Sequence, residues 1–157
     1  MKHPILFGEY ELTIDDKGRL SIPSEIRKAI APERDGEAFF LVVGVNHVPW
    51  LYTERYYEWL VTQALSDVTP DEDVLAYDQM NFALASKFEW DKQGRMQIPV
   101  KTLRRTGLGK EVTMIGVKDH LELWNRPEWE ARREQLLARS SEIALKAKQA
   151  RHAAAPG

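Results

Sequence analysis

Cysteine is absent from the 157-residue chain, which excludes a disulfide framework, a thiolate metal cage and a cysteine nucleophile together. That absence is compatible with a reducing compartment. Long apolar runs are missing as well: ahead of Glu9 the amino terminus offers too few hydrophobic residues for a signal-peptide core or a membrane span, so a cytoplasmic protein is expected. Nor is there an excess of positive charge, since 22 Lys and Arg meet 24 Asp and Glu for a net charge of -2. Any polyanionic partner must be met by a local patch. The remaining composition, 43% apolar and 29% charged, is that of a globular protein, and a chain this long buries roughly 68–70% of its unfolded surface without metals or crosslinks.

Enzyme signatures are missing too: no nucleophile elbow, metalloprotease helix or calcium-loop spacing occurs. Gly107-Leu108-Gly109-Lys110 fails as a phosphate loop because Arg104 stands where an earlier glycine is needed and Glu111 follows the lysine. His3, His47, His120 and His152 lack ligand spacing, and Asp71, Glu72 and Asp73 read as helix-start acids before they read as a cation site. The expectation is a protein with no catalytic residue, no metal, no cofactor and no small-molecule substrate.

What the chain does contain is a repeat. Ile14-Asp15-Asp16-Lys17-Gly18-Arg19-Leu20-Ser21-Ile22-Pro23 returns as Trp90-Asp91-Lys92-Gln93-Gly94-Arg95-Met96-Gln97-Ile98-Pro99, with five of ten positions identical at an offset of 76 residues (91 minus 15). Farther on, Gly44 corresponds to Gly116 and Leu51 to Leu123, an offset of 72, so the second copy has the shorter intervening loop. A long repeat present only twice points to a pseudo-twofold unit whose halves complete one another's core rather than to a solenoid.

Each half has one coarse plan. Period-2 alternation over 9–14 and 87–90 predicts half-buried strands; the Asp-x-x-Gly-Arg segment turns; 20–22 and 96–98 resume the alternation, giving a hairpin in each half. Pro23 and Pro99 stop those strands, short helices are expected over 23–30 and 100–106 with Gly107 as a stop, and apolar runs at 38–45 and 111–117 predict buried strands. Another strand ends near Tyr52 and Trp124. Between the halves, Thr69 as cap and Pro70 in the first turn predict a helix to about Leu84. From Pro127 the pattern predicts one longer helix of roughly 24 residues, about 36 Å at 1.5 Å per residue, fading into a frayed end over 151–157. That helix either crosses onto a neighbouring subunit or folds back on its own domain.

Charge is uneven along the chain. Residues 50–89 hold eight acids and two bases, whereas 91–110 hold six bases, Lys92, Arg95, Lys101, Arg104, Arg105 and Lys110, against one acid; residues 15–34 reach only +1. Arg19 and Arg95, beside Gly18 and Gly94 at the turn tips, are placed to fork onto a phosphate or a guanine edge. Asp15 and Asp91 read as turn formers or as orienters of those arginines rather than as catalysts. Lys17 and Lys92 are either phosphate contacts or hydrated surface lysines, and Arg27, Lys101, Arg104 and Arg105 are further candidates for phosphate. The five tryptophans are read as packing residues, not as base-stacking platforms.

The chain resembles the MraZ family, bacterial regulators of the division and cell-wall gene cluster. The likeness is carried by Leu6-Phe7-Gly8-Glu9-Tyr10 leading to Asp15-Asp16-Lys17-Gly18-Arg19-Leu20-Ser21-Ile22-Pro23, and by Asp91-Lys92-Gln93-Gly94-Arg95 through Gly107-Leu108, Gly116-Val117 and Leu121-Glu122-Leu123-Trp124, covering about 6–129. It implies an α+β fold of two tandem AbrB/SpoVT-like modules related by pseudo-twofold symmetry, a small β-barrel with short helices and a C-terminal helix. The modules would occupy 1–68 and 87–126, with a connecting helix over 69–86 and a C-terminal helix and tail over 127–157. It also implies ring-forming homo-oligomers, nucleoid-associated binding to repeated sites on double-stranded DNA through the Asp-x-x-x-Arg signatures, and repression of the family's own operon. The alternative is an AbrB-like protein-interaction or antitoxin-type module. One departure stands out: the family's middle helix often carries arginines, whereas 74–84 here has none and includes Asp78.

Overall fold

Alternating burial marks the first strand: in β1 (Glu9–Thr13) Tyr10 and Leu12 turn inward while Glu9, Glu11 and Thr13 face solvent. The computed structural model, which describes residues 1–155, continues through β2 (Arg19–Ser21), α1 (Ser24–Ala29), a one-turn α2 (Pro32–Asp35), β3 (Ala38–Val43), β4 (Pro49–Thr53), α3 (Glu54–Gln63) and α4 (Glu72–Ala83). The second repeat supplies β5 (Ser86–Glu89), β6 (Arg95–Gln97), α5 (Val100–Thr106), β7 (Glu111–Gly116) and β8 (Leu121–Asn125). These elements form one unit, Met1–Asn125; a second begins at Arg126 and contains α6 (Arg126–Ala138) and α7 (Ser140–Ala154).

The class is α+β with two repeats, as expected, but the strands pair across the repeats. The six-stranded antiparallel sheet has the order β1-β7-β8-β4-β3-β5, and β2 pairs β6 in a separate ribbon. The hairpins expected within each half are therefore corrected: the turns form, but β1 ladders with β7 and β2 with β6, both from the other half. Reciprocally, β5 adds to β3, with Phe88 opposite Phe39 as Leu12 is opposite Val112. The barrel is corrected as well. β1 and β5 are the two edges of the sheet and share no ladder, so it stays open. The registers refine the repeat: Leu41 is the counterpart of Met114 (114 minus 41, 73), so Gly44 and Gly116 are not structural equivalents.

The pseudo-twofold axis passes through two self-symmetric pairs, Leu20 opposite Met96 in the ribbon and Trp50 opposite Glu122 in the sheet. Leu20 and Met96 are 0% and 1% exposed and join Ile22, Ile98, Phe39 and Leu51 in one core drawn from both halves. A buried leucine contributes roughly 1.5–3 kcal/mol, so ribbon and sheet are held together mainly by these apolar contacts.

At the sheet seam His120, 6% exposed, stacks on Trp50 with ring centroids 3.9 Å apart. Both ring nitrogens face carboxylates, Nδ1 at 2.8 Å from Asp119 Oδ1 and Nε2 at 2.8 Å from Glu122 Oε2. Asp119 also accepts from the Tyr56 hydroxyl and Glu122 from Trp124 Nε1. Burial works against a charged ring, but the two carboxylates outweigh it and hold His120 above its ordinary value. Burial pushes Asp119 upward, the opposite sense for an acid, yet it ends below the usual range through hydrogen bonds from His120 and Tyr56.

Several local expectations change. The helix cap between the halves is Asp71, whose side chain accepts from the Asp73 N–H; Pro70 precedes the cap instead of sitting in the first turn. α3 lies where the sequence pattern predicts no helix, and it turns Tyr56 and Tyr57 inward. The single long C-terminal helix is instead two, interrupted at Arg139 (φ −117°, ψ 20°). Residues 151–154 are helical rather than frayed, Ala155 ends the helix in an extended conformation, and Pro156 and Gly157 lie outside the described residues. α5 and its stop match, with Gly107 left-handed at φ +70° and its N–H donating to Leu103 O.

Candidate nucleic-acid interface

The two turns are built alike. Asp15 Oδ1 accepts from the N–H groups of Lys17 and Arg19, both at 2.9 Å, while Oδ2 takes Arg19 Nε at 2.7 Å. Asp91 Oδ1 accepts from Gln93 N and Arg95 N at 2.9 and 3.0 Å, and Oδ2 takes Arg95 Nε at 3.1 Å. One carboxylate thus folds the turn and aims the arginine. The Arg19 backbone N–H, followed by its side chain and the Lys17 N–H, holds Asp15 below the usual carboxylate value, and the Arg95 backbone N–H leads the same effect on Asp91. Gly18 (φ +78°) and Gly94 (φ +77°) supply the left-handed conformation the reversal needs.

The turns are also joined to each other. Gly18 O accepts from Ile98 N and Gly94 O from Ile22 N, both at 2.8 Å, so each glycine carbonyl is capped by the opposite half. Between them the ribbon sets Arg19 opposite Gln97 and Ser21 opposite Arg95. Opposed residues share a face, so these four lie on one side while Leu20 and Met96 enter the core on the other. Arg19 and Arg95 are diagonal neighbours, roughly 7–8 Å apart at Cβ for such a register. Each arginine side chain is 35% exposed, and only its Nε is engaged among the described residues, leaving both Nη groups as donors. The ion pairs are half-exposed and do not neutralise a buried site.

The other expected residues fall into two sets. Lys17 and Lys92 are exposed on the turns, and the Lys17 carbonyl accepts from Gln97 Nε2 at 3.0 Å. Arg27 reaches across from α1: its Nε donates to Ile22 O at 3.2 Å, and a Cβ added to Gly94 would stand 2.7 Å from its Cδ and Nε. Lys101, Arg104 and Arg105 are exposed at i, i+3 and i+4 on α5, one helix face, and among the described residues no hydrogen bond or ion pair joins them to the ribbon. Lys110 is tied to Asp16 at 2.7 Å. Gln97 and Ser21 were missed by sequence reasoning, since only the β2–β6 register places them between the arginines.

Elsewhere, α4 has no buried residue and presents Val74, Leu75, Tyr77, Met80 and Phe82 to solvent among its acids. Beneath it lies a cavity of about 480 Å³ walled by Trp50, Tyr52, Tyr57, Tyr77 and Phe82. No group of three or more metal-ligating side chains occurs among the described residues, and none of the described helices is long and apolar enough to cross a membrane.

A sequence family described as "MraZ protein, putative antitoxin-like" matches the chain twice, over residues 5–76 and 81–153. Curated relatives include "Transcriptional regulator MraZ" of Acetivibrio thermocellus, 35% identical over 127 residues that cover 81% of this chain and 85% of the relative. The protein of the same name from Thermomicrobium roseum is 32% identical over 140 residues, covering 89% and 95%. That of Caldicellulosiruptor saccharolyticus is 34% identical over 128 residues, covering 80% and 85%.

Proposed function

This chain belongs to the MraZ family and is a transcriptional regulator, not an enzyme, and from that premise we propose that it docks the β2–β6 ribbon on double-stranded DNA. The observation that carries the reading is the pairing of Arg19 and Arg95 on one ribbon face, each with its Nη groups unoccupied among the described residues. A B-DNA major groove about 12 Å wide admits a two-stranded β-ribbon, and an arginine fork suits a guanine edge or a phosphate. Asp15 and Asp91 act as orienters and Lys17, Lys92, Lys101, Arg104 and Arg105 as phosphate contacts, while Gly18 and Gly94, expected at the DNA surface but buried, serve by shaping the turns that carry the arginines. Modules 1–68 and 87–126 act as one reader, connected by 69–86 and followed by the 127–157 arm. Homo-oligomeric rings would present several ribbons to regularly spaced sites and raise the effective concentration of each successive contact. The target is the operator of the protein's own division and cell-wall operon, which it represses, and the place of action is the cytoplasmic nucleoid.

Fluorescence anisotropy with DNA from upstream of the protein's own gene, set against scrambled DNA, tests this. The R19A/R95A double variant, assembled as the parent is, should lose specific binding; parental affinity would refute the ribbon as the reader.

The apolar surface of α4 and the antitoxin-like family description favour a second reading, a protein-interaction module. Salt separates the two. Phosphate docking weakens steeply as salt rises, and an apolar complex does not.

A further inference from the structure

The same backbone at the two turns carries unlike side chains. At the 76-residue offset Arg27 corresponds to Leu103 (27 plus 76), and each lies across the turn of the opposite half: a Cβ on Gly94 meets Arg27 Cδ and Nε at 2.7 Å, and one on Gly18 meets Leu103 Cδ1 at 3.7 Å. One turn is thus overlain by a guanidinium and the other by an isobutyl group. Arg27 is fixed there by its bond to Ile22 O, and Ile22 N in turn donates to Gly94 O. It is exposed and has no ion-pair partner among the described residues, so its charge is available to a ligand.

The flanking charges lean the same way. Residues 15–19 sum to zero, because Asp15 and Asp16 offset Lys17 and Arg19, while 91–95 sum to +1. With Leu103 and Arg27 added, the first turn stays at zero and the second reaches +2. Asp16, the counterpart of Lys92, is further occupied by Lys110.

We propose that Arg27 is a phosphate-binding residue of the second turn, contributed by the first repeat, and that it gives the ribbon a polarity: the DNA backbone is anchored more firmly at Asp91–Arg95 than at Asp15–Arg19. This rests on the ribbon being the DNA reader. A cation that neutralises one phosphate contributes about −0.9 to the slope of log K against log salt, so the asymmetry has a direct readout.

The test is that slope, measured with own-promoter DNA on the full chain for R27L, L103R, R27K and the R19A/R95A double variant, with oligomeric state checked for each. R27L, which copies the first turn's residue into the second, should lower the slope by about 1 and remove hydroxyl-radical protection on one side of each bound site. L103R, which leaves Arg27 in place, should raise the slope by about 1 and extend protection on the other side. R27K should keep the parental slope. Unchanged slopes in R27L and L103R, with binding lost in R19A/R95A, would overturn the role of Arg27 and leave the ribbon reading standing. Parental binding by R19A/R95A would remove that reading and the inference with it. If R27L unfolds, L103R decides alone: an unaltered slope means that the position above the turn does not reach the phosphates.

Discussion

The Asp15–Arg19 and Asp91–Arg95 turns differ by one degree in their glycine φ and by 0.4 Å in their Asp–Arg distance (3.1 against 2.7 Å), yet their surroundings part company. Behind Gly18 stands the backbone carbonyl of Ile98; behind Gly94 stands the side chain of Arg27. α1 carries Glu25 where α5 carries Lys101, and Val48 occupies the place that His120 takes at the seam (48 plus 72). Shape was kept where the halves interlock, because each backbone is the other's hydrogen-bonding partner, and chemistry diverged where side chains meet solvent or a ligand.

Breaking the shared axis should have the largest effect. Leu20→Ala or Met96→Ala empties a fully buried position common to both halves, and a loss of roughly 2–5 kcal/mol is expected by denaturant unfolding. Because β1 and β5 are exchanged, both repeats should unfold in one transition; two resolved transitions would contradict the interlock.

Next come the glycines. A non-glycine residue at positive φ costs roughly 1–3 kcal/mol at either turn. G18A adds a 2.7 Å approach to Ile98 O, which cannot swing aside, whereas the Arg27 side chain above Gly94 can. Melting temperatures should therefore fall more for G18A than for G94A, while G94A, by displacing Arg27, should lose DNA affinity beyond what its stability explains. Equal melting losses would show that the two environments are not mechanically distinct.

The smallest effect is a pH dependence present in one half only. His120 lies above its ordinary value in the folded chain, so the stability it contributes is complete below about pH 6.5 and is lost as pH rises through the raised value. Thermal melting followed from pH 6 to 9 should decline for the parent and flatten for H120V, which installs the first half's residue. Asp15 and Asp91 have the opposite sign: held low, their contribution is present above about pH 4 and disappears as pH falls.

Much of this was readable in the residues. Gly18 and Gly94 beside arginine announced the turns, Pro99 and Gly107 bracketed α5, and the Asp-x-x-Gly-Arg repeat announced the duplication. Period-2 alternation tells which face of β1 is buried but not which strand it joins, so the exchange with β7 and the open edges stayed hidden. The contact of Arg27 with Gly94 follows from that exchange and was hidden with it. α3 was obscured by composition, and the interruption at Arg139 has no proline or glycine to mark it.

The exchanged strands also set a timetable for synthesis. β1 cannot find its ladder until β7 has left the ribosome, 98 residues after Thr13 (111 minus 13), on the order of 5–20 s at usual elongation rates. During that interval the nascent amino-terminal strand is without its partner. Once the ladder has closed, a protease cut in the connector near Val68 should yield two fragments that travel as one particle until denatured.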